Sequence, residues 1–111
     1  MSTLTTHVLD TMNGCPAAAL ALVVTGPHGL IAQGVTNEDG RCPELVTGNL
    51  AAGRYRIVFQ VAAYFRAKGV ALPDPPFLDE VAIDFGIAEN GGHYHVPLLV
   101  SPYGYSTYRG S

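Results

Sequence analysis

Apolar and polar residues alternate in several short runs along this chain, and each run ends in residues that turn a backbone. Leu4 to Asp10 places Leu4, Thr6 and Val8 on one side of an extended segment and Thr5, His7 and Leu9 on the other, because successive strand side chains point to opposite faces. Asn13-Gly14 and Pro16 end that run. Ala19 to Thr25 is apolar and β-branched towards its end, Gly26-Pro27-His28-Gly29 turns it, and Leu30 to Thr36 returns. Asn37-Glu38-Asp39-Gly40 is a second strong turn, since Asp-Gly supplies the positive φ that tight hairpins need. A short extended segment is expected near Glu44 to Val46. Arg54 to Val61 sets Tyr55, Ile57, Phe59 and Val61 against Arg54, Arg56, Val58 and Gln60.

The alternation fails over Ala62 to Lys68, which is rich in helix formers and stops at Gly69; this predicts one short helix with a glycine C-cap. Leu72 to Pro76 holds three prolines and must be loop. Glu80 to Ile87 alternates again, with Val81, Ile83, Phe85 and Ile87 inward. Asn90-Gly91-Gly92 leads into Tyr94 to Val100, and Tyr103 to Tyr108 forms a last strand. Pro97 has no N–H to give, so one side of its strand is expected to be incompletely paired.

About eight strands with one short helix and regular turn signals predict an all-β fold, an antiparallel Greek-key sandwich. The 111 residues fit one domain, 1–111, around one core. Charged residues are only 14% against 48% hydrophobic, which predicts that some apolar surface is covered by other subunits. A net charge of -3 gives no reason to expect nucleic acid or an anionic membrane as partner. No apolar run reaches transmembrane length, and Met1 to His7 lacks the basic segment and apolar core of a secretory signal. A cytoplasmic protein is expected, with Cys15 and Cys42 as separate reduced thiols.

The candidate chemistry lies in histidine. His93 and His95 share one face of their strand, with Tyr94, Val96 and Leu98 on the other. His7 likewise points away from Leu4, Thr6 and Val8. These imidazoles therefore face solvent or a partner. A zinc site of His93 and His95 with His7 as third ligand is one alternative, but no carboxylate or cysteine is placed to complete it. Acid–base work suits a histidine better, its ordinary pKa of about 6.5 lying close to working pH. Arg41, directly after Asp39-Gly40, is either a solvated turn residue or a planar donor for an oxygen-rich ring. His28 is an ordinary turn residue. There is no Gly-x-Ser-x-Gly elbow and no glycine-rich nucleotide loop. The tail stays rich in functional groups to its end: Tyr103-Gly104-Tyr105-Ser106-Thr107-Tyr108-Arg109-Gly110-Ser111.

Three separated stretches resemble the 5-hydroxyisourate hydrolases, the enzymatic branch of the transthyretin-like family. They are Leu4-Thr5-Thr6-His7-Val8-Leu9-Asp10-Thr11, Thr36-Asn37-Glu38-Asp39-Gly40-Arg41, and the tail from His93 onward, ending in Tyr108-Arg109-Gly110-Ser111. The resemblance covers nearly the whole chain. It implies a transthyretin-like sandwich, a homotetramer built as a dimer of dimers, and active sites in a channel where the dimers meet. It implies hydrolysis of 5-hydroxyisourate to 2-oxo-4-hydroxy-4-carboxy-5-ureidoimidazoline on the path from urate to allantoin, with no metal or organic cofactor. The catalytic residues it implies are His7, Arg41, His95 and Ser111, with Tyr108 joining His7 and Arg41 in holding substrate. Two other readings remain at this point: a carrier whose channel holds a small apolar ligand, and a structural or adhesion sandwich with surface histidines.

Overall fold

The computed structural model describes residues 2–43, 45 and 50–110. Its elements run β1 (Ser2–Asp10), β2 (Cys15–Pro16), β3 (Ala21–Gly26), β4 (Gly29–Val35), β5 (Gly53–Phe59), α1 (Val61–Ala67), β6 (Val81–Ile87), β7 (Gly92–Ser101) and β8 (Gly104–Thr107). Two four-stranded sheets form, in the orders β2-β1-β7-β8 and β4-β3-β5-β6. The alternation read from the sequence is the alternation of burial: Leu4, Thr6 and Val8 of β1 are buried, as are Tyr55, Ile57 and Phe59 of β5. Residues of the two inner faces interlock, Leu98 and Val100 from one sheet and Leu22, Val24 and Ile57 from the other. Each such side chain removed from water contributes roughly 1.5–3 kcal/mol. The segment expected near Glu44 to Val46 lies largely outside the described residues.

One pairing differs from the all-antiparallel expectation. β1 and β7 run parallel along their whole length, Thr3 opposite His93, Thr5 opposite His95 and His7 opposite Pro97. A period-two pattern carries no strand direction. Here the chain leaves the first sheet after β2, builds the whole second sheet, and returns as β7, so no hairpin constrains the two strands to oppose each other. Pro97 behaves as expected. β8 pairs with β7 only from Leu98 to Ser101, and beside Pro97 the Thr107 hydroxyl donates to the Pro97 carbonyl at 2.7 Å.

The helix is short but firmly ended. Gly69, at φ +82°, donates to the Arg66 carbonyl at 3.0 Å and Val70 to that of Phe65 at 3.0 Å, the paired bonds of a Schellman cap. Its buried Tyr64 and Phe65 cover one end of the core. Tyr64 donates its hydroxyl to Asp10 at 2.7 Å, and Asn13 adds two more donors to the same carboxylate. Burial alone would raise the Asp10 pKa, but these hydrogen bonds hold it below the ordinary carboxylate value. Asp10 thereby anchors the end of β1, the strand that carries His7.

Candidate functional site

The outer face of β1 and β7 gathers the candidate residues. Because the two strands are parallel and in step, Thr3, Thr5 and His7 form one row and His93, His95 and Pro97 the next. His95 therefore stands across from Thr5 and diagonally from His7. Arg41 arrives from the other side of β1, through an antiparallel bridge between His7 and Arg41. The turn before it is held by its own residues. The Asn37 side chain accepts from the Asp39 and Arg41 backbone N–H groups at 2.9 and 3.1 Å, and Val8 donates to the Gly40 carbonyl at 2.8 Å.

Gly40 is needed for two reasons. Its φ is +75°, and a Cβ there would collide with the Val8 carbonyl oxygen. Gly40→Ala combines left-handed strain with a backbone clash, and is expected to destabilise the fold by roughly 2–4 kcal/mol, read as a lower urea midpoint. It should also displace Arg41, lowering activity in the molecules that remain folded.

Four causes act in one direction on His95. Burial pushes its pKa below the ordinary imidazole value, and the Arg41 cation and the neighbouring His7 and His93 push it further; a hydrogen bond to the Thr5 backbone opposes them. The result is an imidazole that stays neutral, with a lone pair to offer, below the usual histidine range. Its Nδ1 is 2.8 Å from Thr5 Oγ1, which leaves Nε2 as the nitrogen able to act.

The tail closes over this ring. Gly110 donates to the His95 carbonyl at 2.8 Å. A Cβ on Gly110 would stand 2.5 Å from His95 Cδ2, so glycine alone lets the backbone lie this close. Arg109 lies over the Tyr94 ring, 4.1 Å from its centroid, and its Nη2 reaches the His93 carbonyl at 3.3 Å. The sequence pointed to an ordered tail but gave no sign that Gly110 packs on His95.

His7, Arg41 and His95 are thus brought together within one chain. Tyr108 is not. It is 61% exposed and lines an apolar cavity of about 440 Å³ with Phe85, Tyr94, Val96 and Arg109; among the described residues no hydrogen bond or ring contact joins it to the imidazoles. Ser111 lies outside the described residues. Both ring nitrogens of His93 are taken by threonine hydroxyls, and among the described residues no group of three or more His, Cys, Asp or Glu converges to hold a metal ion. No helix there is long and apolar enough to cross a membrane.

An open sheet face carrying a neutral imidazole, a second imidazole and a guanidinium can activate water beside a polar, oxygen-rich ligand. Comparison with known proteins points to the same chemistry. A family model described as HIUase/Transthyretin family matches residues 4–110. A 5-hydroxyisourate hydrolase of Ralstonia nicotianae is 53% identical, covering 100% of both chains. The structure of Klebsiella pneumoniae 5-hydroxyisourate hydrolase superposes with a TM-score of 0.87 at 36% identity, over 99% of this chain and 100% of that one. Sea bream transthyretin, solved in complex with thyroxine, superposes at 0.85 with 33% identity, over 96% of this chain and 93% of that one.

Proposed function

The chain belongs to the HIUase/Transthyretin family, and from that membership together with the site geometry we propose that it hydrolyses 5-hydroxyisourate to 2-oxo-4-hydroxy-4-carboxy-5-ureidoimidazoline, a step in the breakdown of urate. The observation that carries the reading is the meeting of His7, Arg41 and a neutral His95 on one sheet face. Water attacks a carbonyl carbon of the six-membered ring, and the C–N amide bond there opens. His95 Nε2 takes the water's proton. Arg41 donates to the ring oxygens and offsets the negative charge that develops on the attacked carbonyl oxygen. His7 faces the same space and orients the ring or the water. No metal or organic cofactor enters this scheme.

The site is completed by other copies of the chain. A homotetramer, a dimer of dimers of single-domain chains, would close the open β1–β7 face into a channel. It would also bring the Tyr108 and Ser111 of the tails to bear on substrate. The low charge of the chain and its exposed Tyr103, Tyr105 and Tyr108 support a covered surface. A cytoplasmic location suits a urate-breakdown enzyme. A carrier of an apolar ligand, such as the thyroxine bound by the sea bream protein, would place that ligand against imidazoles and a guanidinium, which is poor chemistry for it.

The test is product identity. ¹³C-labelled urate is oxidised by urate oxidase with and without the chain and followed by NMR. The ring-opened acid is expected to replace the first oxidation product at a rate proportional to the concentration of the chain. Identical time courses would rule the activity out.

A further inference from the structure

His93 has no part in the reaction as described, yet it belongs to a hydrogen-bonded chain on the outer face. Its Nδ1 is 2.7 Å from Thr3 Oγ1 and its Nε2 is 3.1 Å from Thr5 Oγ1. The same Thr5 oxygen is 2.8 Å from His95 Nδ1. A hydroxyl has one proton to give and lone pairs to accept with. If His95 Nε2 is to be the base, the ring proton sits on Nδ1 and is donated to Thr5. Thr5 then gives its own proton to His93 Nε2, and His93 keeps its proton on Nδ1, donated to Thr3. A single direction satisfies all three bonds.

The arrangement answers a difficulty in the mechanism. His95 is half-buried beside Arg41 and faces His7, so it accepts a proton from water but holds the resulting charge badly. His93 is exposed, and Arg109 meets it through its backbone carbonyl rather than its ring. We infer that Thr5 and His93 are positioning residues that share the charge of His95 during turnover, by way of the Thr5 hydroxyl. When His95 Nε2 takes the water's proton, its Nδ1 proton moves to Thr5 Oγ1 while Thr5 passes its own to His93 Nε2. His93 becomes the imidazolium, farther from Arg41 and in water. When the C–N bond breaks, the two shifts reverse, and His95 Nε2 hands its proton to the departing ring nitrogen. The protein ends as it began; water's oxygen is on the carbonyl carbon and its proton on the nitrogen. Thr5 also holds His95 in the tautomer that leaves Nε2 free.

This inference rests on the hydrolase reading, and its test separates the two. Thr5→Val keeps the branched shape and removes the hydroxyl; Thr5→Ser keeps the hydroxyl. For Thr5→Val, kcat is expected to fall about tenfold, the lower end of what losing a ring-orienting partner costs at metal-bound histidines, with KM within about twofold of wild type. The acid limb of its kcat/KM profile should move to lower pH, because the imidazolium loses its hydroxyl acceptor, and Thr5→Ser should restore both. His93→Gln, at an exposed position, should give the same fall in kcat. Separately, ¹⁵N NMR of the histidine rings should find the His95 proton on Nδ1 in wild type, and a mixture of tautomers in Thr5→Val. Wild type without hydrolase activity would sink the hydrolase reading and the relay with it, while the NMR would still decide whether Thr5 holds the His95 tautomer. Active Thr5→Val with an unmoved pH profile and an unmoved tautomer would overturn the relay.

Discussion

His95→Ala is expected to lower kcat for 5-hydroxyisourate hydrolysis by about 10²–10⁴-fold, the range in which a positioned general base contributes, while leaving the fold intact. The ring sits on the outer face of β7, not in the core, so its loss opens no cavity between the sheets. Steady-state kinetics together with a circular dichroism spectrum check both halves. In wild type the acid limb of kcat/KM should lie below the ordinary histidine value of about 6.5. The sign follows from the environment: burial, Arg41, His7 and His93 all disfavour the imidazolium, so the base stays competent until the pH falls through its lowered pKa. An acid limb well above that ordinary value would remove His95 as the base.

Arg41→Ala carries the second large effect. Loss of an oriented donor to a developing oxyanion lowers kcat by about 10²–10³-fold. Arg41 also acts on His95, so the acid limb should move up towards the ordinary histidine range when the cation is gone. The two readouts together distinguish Arg41 from a passive surface residue, which would change neither. Arg41→Lys keeps the charge and gives up the planar two-pronged donor. Its acid limb should therefore stay near that of wild type while kcat remains well below it.

Much of this site was legible before any coordinates. A period of two placed His7 and His95 on outward faces, Asp39-Gly40 set Arg41 at the start of a return segment, and Pro97 marked the incompletely paired side of β7. The helix Ala62 to Lys68 was found within a residue at each end, because Gly69 ends it by a mechanism visible in the sequence. The parallel register of β1 and β7 was not legible, since pairing between strands far apart in the chain depends on how the whole sandwich closes. That register sets Thr5 opposite His95 and Thr3 opposite His93, so the hydroxyl–imidazole chain was hidden too. Gly110 was hidden for a similar reason. Its need to be glycine arises from a ring on another strand, not from a positive φ or a turn of its own. Tyr108 stands over a cavity beside Phe85 and Tyr94, away from the imidazoles.

The most direct measurement is the lifetime of the ultraviolet-absorbing intermediate formed when urate oxidase acts on urate. Adding the wild-type chain should shorten that lifetime in proportion to its concentration. A folded variant carrying His7→Ala, Arg41→Ala and His95→Ala together should leave it at the uncatalysed value. A triple variant as fast as wild type would show that the hydrolysis is done elsewhere on the molecule.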